Sequence, residues 1–211
     1  MVDQNNLPAQ FHAVKDDDEE FIWVGEPKFF PFICTGIPFL IFGLLWGTLD
    51  FAFIKMALHT AKKGPPLGFI IPFFILHLAP FWLSVLNIVR LLLVHKNTFY
   101  AITNKRVMIR SGFWGIDFNA IDYDKITDIQ VTVNPLENML GVGTIRFYSG
   151  KATSKGMPLS DNFIAIENPY EVFKKVKTVS VDIKTDWNFP NKLRPQENPG
   201  YNTKYNPKKK F

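Results

Sequence analysis

Cysteine is nearly absent. The 211 residues hold one, Cys34, so no intrachain disulfide and no cysteine-based zinc site can form. Histidine is scarce too: His12, His59, His77 and His95 stand apart, with no second metal ligand at helical spacing. There is no GxSxG, no P-loop and no paired-carboxylate signature, and Gly141-Val142-Gly143 is too short to cradle a phosphate. These absences leave no catalytic residue, metal or cofactor to name, so a non-enzymatic role is expected. Residues 1–20 are polar and acidic, which excludes a cleavable signal peptide at that position. Charge is almost missing from a long central region: between residues 29 and 94 only Asp50, Lys55, Lys62, Lys63 and Arg90 are charged.

Two apolar runs fill that region. Phe29–Phe53 carries one charge, Asp50, and Leu67–Val94 carries one, Arg90. About 20 apolar residues cross a bilayer as helix, so each run is long enough even when tilted. The short connection makes them an antiparallel transmembrane hairpin over 29–94. Its spans are punctuated by Pro31, Pro38, Pro72 and Pro80. The connection holds Lys55, Lys62 and Lys63, whereas the other flanks hold Lys15, Lys28, Lys96, Lys105, Arg106 and Arg110. The positive-inside rule then places both termini in the cytoplasm of a multi-pass cell-membrane protein.

Inside the spans, Asp50 and Arg90 each read as about one turn from a helix end, at opposite faces, so separate snorkelling is expected rather than an ion pair. His77 lies about 15 Å into the second span by helix rise, near the midplane, where an ionisable residue is a candidate functional group. The plainer reading is a neutral imidazole bonded to a carbonyl or a neighbouring helix. Gly43 and Gly47 form a GxxxG pattern that lets helices approach closely, within the hairpin or against another subunit.

After residue 94 the pattern changes to short alternating runs: Thr98–Thr103, Arg106–Ser111, 116–122, Ile126–Val133, Thr144–Ser149 and Asn162–Ile166. Such spacing indicates a sandwich or small barrel. Lys151–Ser160 is expected to be a loop. Asn168-Pro169-Tyr170-Glu171 supplies a helix start, and Val172, Phe173, Val176 and Val179 form the apolar face of the helix that follows. Residues 1–28 carry two Lys against seven Asp and Glu and read as a separate acidic segment. Residues 182–211, rich in Asn, Pro and Lys and ending Lys208-Lys209-Lys210-Phe211, read as a disordered basic tail. The domain between is bounded at 95–181.

Lys105 at the first β-turn, with Arg106 and Arg110 on one strand face, is the candidate site for anionic headgroups or a partner. Membrane lipids and a protein partner, or a second copy of the chain, are the expected contacts. Nucleic acid is not, since no recognition fold accompanies the basic charge.

The run Tyr100-x-Ile102-Thr103-Asn104-x-Arg106-Val107-x-Ile109-x-Ser111-Gly112 resembles the opening hairpin of the bacterial pleckstrin-homology-like domains that follow paired membrane helices. Asp124-Lys125-Ile126-x-Asp128-Ile129-x-Val131, then Asn138-x-Leu140-Gly141-x-Gly143-Thr144-Ile145, and the end at Ile164 to Asn168-Pro169 resemble later parts in order. Ile22-Trp23-Val24-Gly25-Glu26-Pro27 is similar to the usual lead-in. The resemblance spans roughly residues 20–180. It implies a PH-like fold, a partly open seven-stranded barrel capped by a C-terminal helix, with no assigned chemistry. The expected function is a membrane-anchored interaction or scaffold module. The alternatives are a homo-oligomeric assembly, with spans packed through Gly43 and Gly47, or an accessory subunit of a transport or enzyme complex using His77 and Asp50.

Overall fold

The computed structural model describes residues 7–59, 67–155 and 157–188. It divides into two compact units: Phe29–Asn97, and a second unit made of the chain before Lys28 and after Thr98.

The first unit is all helix. The first apolar run forms α2 (Phe29–Cys34) and α3 (Ile37–His59), and the second forms α4 (Leu67–His77) and α5 (Ala79–Asn97). Pro38 and Pro80 each sit in the first turn of the helix after a break, where a missing N–H costs nothing. α3 and α5 are long and apolar enough to cross a membrane. The runs start at Phe29 and Leu67 as expected but differ from the expected spans at their C-terminal ends. The first continues as helix to His59 rather than stopping at Phe53, and the second continues past Val94 to Asn97.

The second unit begins before the hairpin, not after it. Ala9–Val14 is a helix (α1) and Phe21–Gly25 is the first strand (β1). β1 pairs antiparallel with β2 (Phe99–Thr103), with Gly25 opposite Tyr100. The apolar hairpin is therefore an insertion between the first two strands of one sheet. The segment read as a separate acidic N-terminus is part of the domain from Leu7 onward, and the domain boundary at residue 95 is corrected accordingly. β3 (Arg106–Ser111) and β4 (Asp117–Asp122) complete a four-stranded sheet in the order β1-β2-β3-β4.

A 3-10 turn over Tyr123–Lys125 leads to β5 (Asp128–Thr132), followed by a short helix α6 (Pro135–Met139), β6 (Val142–Ala152) and β7 (Pro158–Glu167). These three strands form a second antiparallel sheet, β5-β6-β7. Lys151–Ser160 is not the expected loop: Ala152 pairs with Pro158, so strand reaches to within a few residues of the hairpin tip. The seven strands thus make two sheets, and no ladder among the described residues closes them into a barrel. α6 opens with a capping box, in which Asn134 Oδ1 accepts from Glu137 N at 2.8 Å and Glu137 Oε2 accepts from Asn134 N at 2.9 Å.

α7 (Pro169–Asn188) starts where the Asn168-Pro169 signal places it. It buries Val172, Val176 and Val179 against Tyr100, Phe147 and Phe163 of the two sheets. Tyr100 and Phe163 stack at 4.6 Å, and the Tyr100 hydroxyl accepts from Ile164 N at 3.0 Å. Burial pushes the Tyr100 phenol well above its usual range, so it stays protonated. The helix runs into the stretch read as a tail from residue 182; the expected disorder of 189–211 lies outside the described residues.

The four-stranded sheet is buried on both faces. One face joins the main core through Tyr100, Ile102 and Val107. The other, carrying Val24, Ala101 and Met108, is covered by Leu7 and the wholly buried Phe11 of the N-terminal segment. Phe11 meets Phe118 edge-on at 5.0 Å.

Candidate functional site

Two clusters of polar side chains are candidates, one in each unit. In the helical unit, α3 turns one stripe toward its antiparallel neighbours. A Cβ on Gly36 would come within 2.6 Å of Leu91 Cδ1, and one on Gly47 would lie 3.1 Å from the Phe81 ring. A Cβ on Gly43 would overlap Ser84 Oγ. Gly43 and Gly47 are thus consumed within the hairpin, where the absence of side chains brings the backbones close. Asp50 is the next residue along this stripe, and it faces His77.

His77 Nδ1 lies 2.8 Å from Asp50 Oδ1 and 3.0 Å from Oδ2, so the imidazole and the carboxyl share a hydrogen bond. Asp50 is 2% exposed. Trp46, one turn before Asp50, donates its indole N–H to the His77 carbonyl at 2.9 Å. The imidazole also stacks on Phe73 with ring centres 5.2 Å apart, and it sits 5.2 Å from the Trp46 ring. His77 is the last residue of α4, where the helix breaks before Pro80. α3 therefore supplies a donor for the His77 carbonyl and a hydrogen-bond partner for its ring.

Asp50 does not snorkel to an interface as expected. The expectation put it one turn from the helix end, but α3 runs nine residues further, 59 − 50, so Asp50 lies deep in the helix and is satisfied by His77. Arg90 bonds instead to Asn87 Oδ1, at 3.2 Å from Nε and 3.1 Å from Nη2. Trp46 escaped the sequence reading, although its spacing of four from Asp50 and three from Gly43 marks the same helix face.

In the strand unit, the expected basic site is an internal ion-pair cluster. Lys105 Nζ lies 2.5 Å from Asp18 and 3.0 Å from Asp16, and Arg106 Nη2 lies 2.7 Å from Asp16. Glu19, 1% exposed, accepts from Thr103 Oγ1 at 2.5 Å and lies 3.2 Å from Arg106 Nε. The Lys105 hydrogen bonds hold the Asp16 and Asp18 carboxyls below their ordinary range against a small cost of burial. Partial burial works against the Lys105 ammonium, but Asp18 and Asp16 outweigh it and raise its pKa. Arg110 is 9% exposed, with its guanidinium 5.6 Å from the Phe99 ring centre.

Lys105, Arg106 and Arg110 are therefore engaged with their own domain and are not a free basic face. Within the sheet, the Lys105 turn lies about 15 Å along β2 from Phe99 at strand rise, whereas Arg110 pairs with Phe99. The acidic run at Asp16–Glu19 that pairs with Lys105 and Arg106 is legible as charge but not as a partner, because the contact spans more than 80 residues of sequence.

The sheets leave one further feature. Among the described residues β5 is paired with β6 alone, and its Asp128, Gln130 and Thr132 are exposed while Ile129 and Val131 turn inward.

A family model described as "Bacterial PH domain" matches residues 36–183. No curated protein matches the chain. Among solved structures, the crystal structure of a DUF1696-family protein with a pleckstrin-homology domain from Shewanella loihica PV-4, at 2.00 Å resolution, is similar at 16% identity. That match covers 39% of this chain and 71% of the other, with a TM-score of 0.30.

Proposed function

This chain belongs to the bacterial PH-domain family, and from that premise we propose that it is a membrane-anchored, non-enzymatic interaction module that engages a protein segment along the β5 edge of its domain. The observation that carries the reading is that β5 stands at the end of its sheet and presents polar residues on its exposed face. An extended peptide gains main-chain hydrogen bonds from such an edge and specificity from alternate side chains. A protein partner is favoured over anionic headgroups because Lys105 and Arg106 already hold Asp16 and Asp18.

Anchoring is supported by the two apolar helices. Only 11% of each apolar window is buried within the chain, far less than a soluble core helix would show. The excess of Lys and Arg outside the connection favours a cytoplasmic domain with both termini on that side. Self-association through Gly43 and Gly47 loses support, since both are packed against α5. A role as accessory subunit of a membrane complex draws on the buried Asp50–His77 pair, because intramembrane ionisable residues mark functional positions by default.

The test uses the full-length chain in its native membranes. Alkaline carbonate should leave it in the pellet; release to the supernatant overturns anchoring. A photo-crosslinking residue at Gln130 should give a discrete adduct with a second polypeptide, and one at Lys125 should not. No adduct at 130, or equal adducts at both positions, overturns the edge as the binding site.

A further inference from the structure

The two ends of the strand unit differ in chemistry. One end is charged: the turn at Lys105 gathers Asp16, Asp18, Arg106 and Asp122, and Lys125 joins it through Asp122. The other end is where the chain leaves toward α2 and returns from α5. Gly25 pairs with Tyr100 there, Phe99 with Arg110, and Ser111 with Asp117. Lys28 bonds across to the second sheet at the same end, with its N–H donating to Ala165 O at 2.8 Å and its ammonium 2.7 Å from Glu167. Glu167 in turn pairs with Val142, which directly follows α6.

Two loops project from this end, and both expose large apolar side chains. Between β3 and β4, Trp114 is 93% exposed, with Phe113 and Ile116 about half exposed. Gly112 makes the turn tight: its φ is +144°, and a Cβ there would overlap the Gly115 carbonyl. The fold thus holds Trp114 outward instead of letting it collapse on the sheet. At α6, Met139 is 84% exposed, flanked by Leu136 and Leu140. Other exposed apolar residues of the unit, such as Met157 and Leu159, stand near the lysines of the β6–β7 hairpin.

We infer that Trp114 and Met139, with their apolar neighbours, form an interfacial anchor that inserts into the headgroup–acyl boundary of the bilayer crossed by α3 and α5. The inference rests on those helices lying in lipid. Few residues separate β1 from α2, and one separates α5 from β2, so the end that carries these loops is tied to the spans at two points. Tryptophan is favoured at that depth because its ring is apolar and its N–H finds water or headgroup partners. Exposed apolar side chains are costly in water and gain from shallow insertion.

The experiment places an environment-sensitive fluorophore on single cysteines in the full-length chain, in a Cys34→Ala background. The labelled variants are Trp114→Cys, Met139→Cys and, as the charged-end control, Lys125→Cys. Each is incorporated in nanodiscs of phosphatidylcholine and phosphatidylglycerol. A chain that does not enter the discs fails the reading of α3 and α5 as spans, before the loops are tested. In discs, labels at 114 and 139 should emit at shorter wavelength, lose most of their intensity to shallow doxyl lipid and resist aqueous iodide, while the label at 125 does the reverse. Iodide quenching at 114 or 139 without doxyl quenching overturns the anchor. Shielding of either from both quenchers, as a protein cover would give, overturns it as well.

Discussion

His77 Nδ1 lies 2.8 Å from a carboxylate oxygen of Asp50, so the two ionisable side chains in the middle of the apolar helices satisfy each other. Removing His77 leaves Asp50, which is 2% exposed, without compensation. Breaking such a pair typically costs about 3 kcal/mol or more, while replacing both with apolar residues is far milder. His77→Leu should therefore lower the melting temperature of the purified protein more than the double variant His77→Leu/Asp50→Leu does. A thermal-unfolding cycle in detergent checks this. Equal losses in the single and double variants would mean that the bond contributes nothing.

The position of Phe11 carries a second expectation. Its side chain is fully buried between Phe118 and the sheet residues Ala101 and Met108, although the N-terminal segment reads in sequence as a solvated acidic stretch. Phe11→Ala should destabilise the strand unit by about 4 kcal/mol, the usual range for emptying a buried aromatic site. Urea unfolding followed by near-ultraviolet circular dichroism reads it. A loss within experimental error would separate the segment from the domain.

Gly43 gives a third. A Cβ there would lie 2.5 Å from Ser84 Cβ and 3.0 Å from the Pro80 carbonyl, so Gly43→Ala must push α3 away from α5. The cost should be about 2 kcal/mol by overpacking. Gly68→Ala, with nothing within 4 Å, should be neutral or slightly stabilising. Adding Ser84→Gly to Gly43→Ala should recover much of the loss, as read by resistance of the hairpin to denaturing detergent. No recovery would place the effect outside this contact.

The contrast among these sites explains what the sequence discloses. The two apolar helical runs, the Arg106–Ser111 strand and the start of α7 are legible because each follows from a local pattern: an apolar run, an alternation, an Asn-Pro cap. β1 is not legible as a sheet strand, since its five residues pair with β2 only across the inserted hairpin. Arg106 and Arg110 alternate with inward residues and so resemble a solvent face. That face is instead roofed by Leu7 and Phe11, and alternation alone cannot report a second cover. The depth of Asp50 was misjudged because apolar composition marks where a helix suits lipid, not where it ends. The packing stripe Gly36, Gly43, Gly47, Asp50 was present in the spacing all along, and Trp46 lies on its flank.

The cluster at Lys105 predicts how stability follows pH. Asp16 and Asp18 have folded pKa values held below the ordinary 3.8 by their hydrogen bonds to Lys105, so their contribution is complete above pH 3.8 and disappears as pH falls through the lowered values. Lys105 has the opposite sign. Its pKa is raised above 10.5, so its contribution is complete below that pH and is lost as pH rises through the raised value. The attachment of the Asp16–Glu19 segment should hence be flat between these limits and weaken on both sides. Lys105→Met should lower the neutral plateau of melting temperature and thereby flatten its acid limb, the variant and wild type converging at low pH where the carboxyls are protonated. Because Asp16 is 47% and Asp18 is 68% exposed, the difference between wild type and variant should shrink as salt rises toward molar concentration. An acid limb unchanged by Lys105→Met at low salt would mean that groups outside the Lys105 cluster govern it.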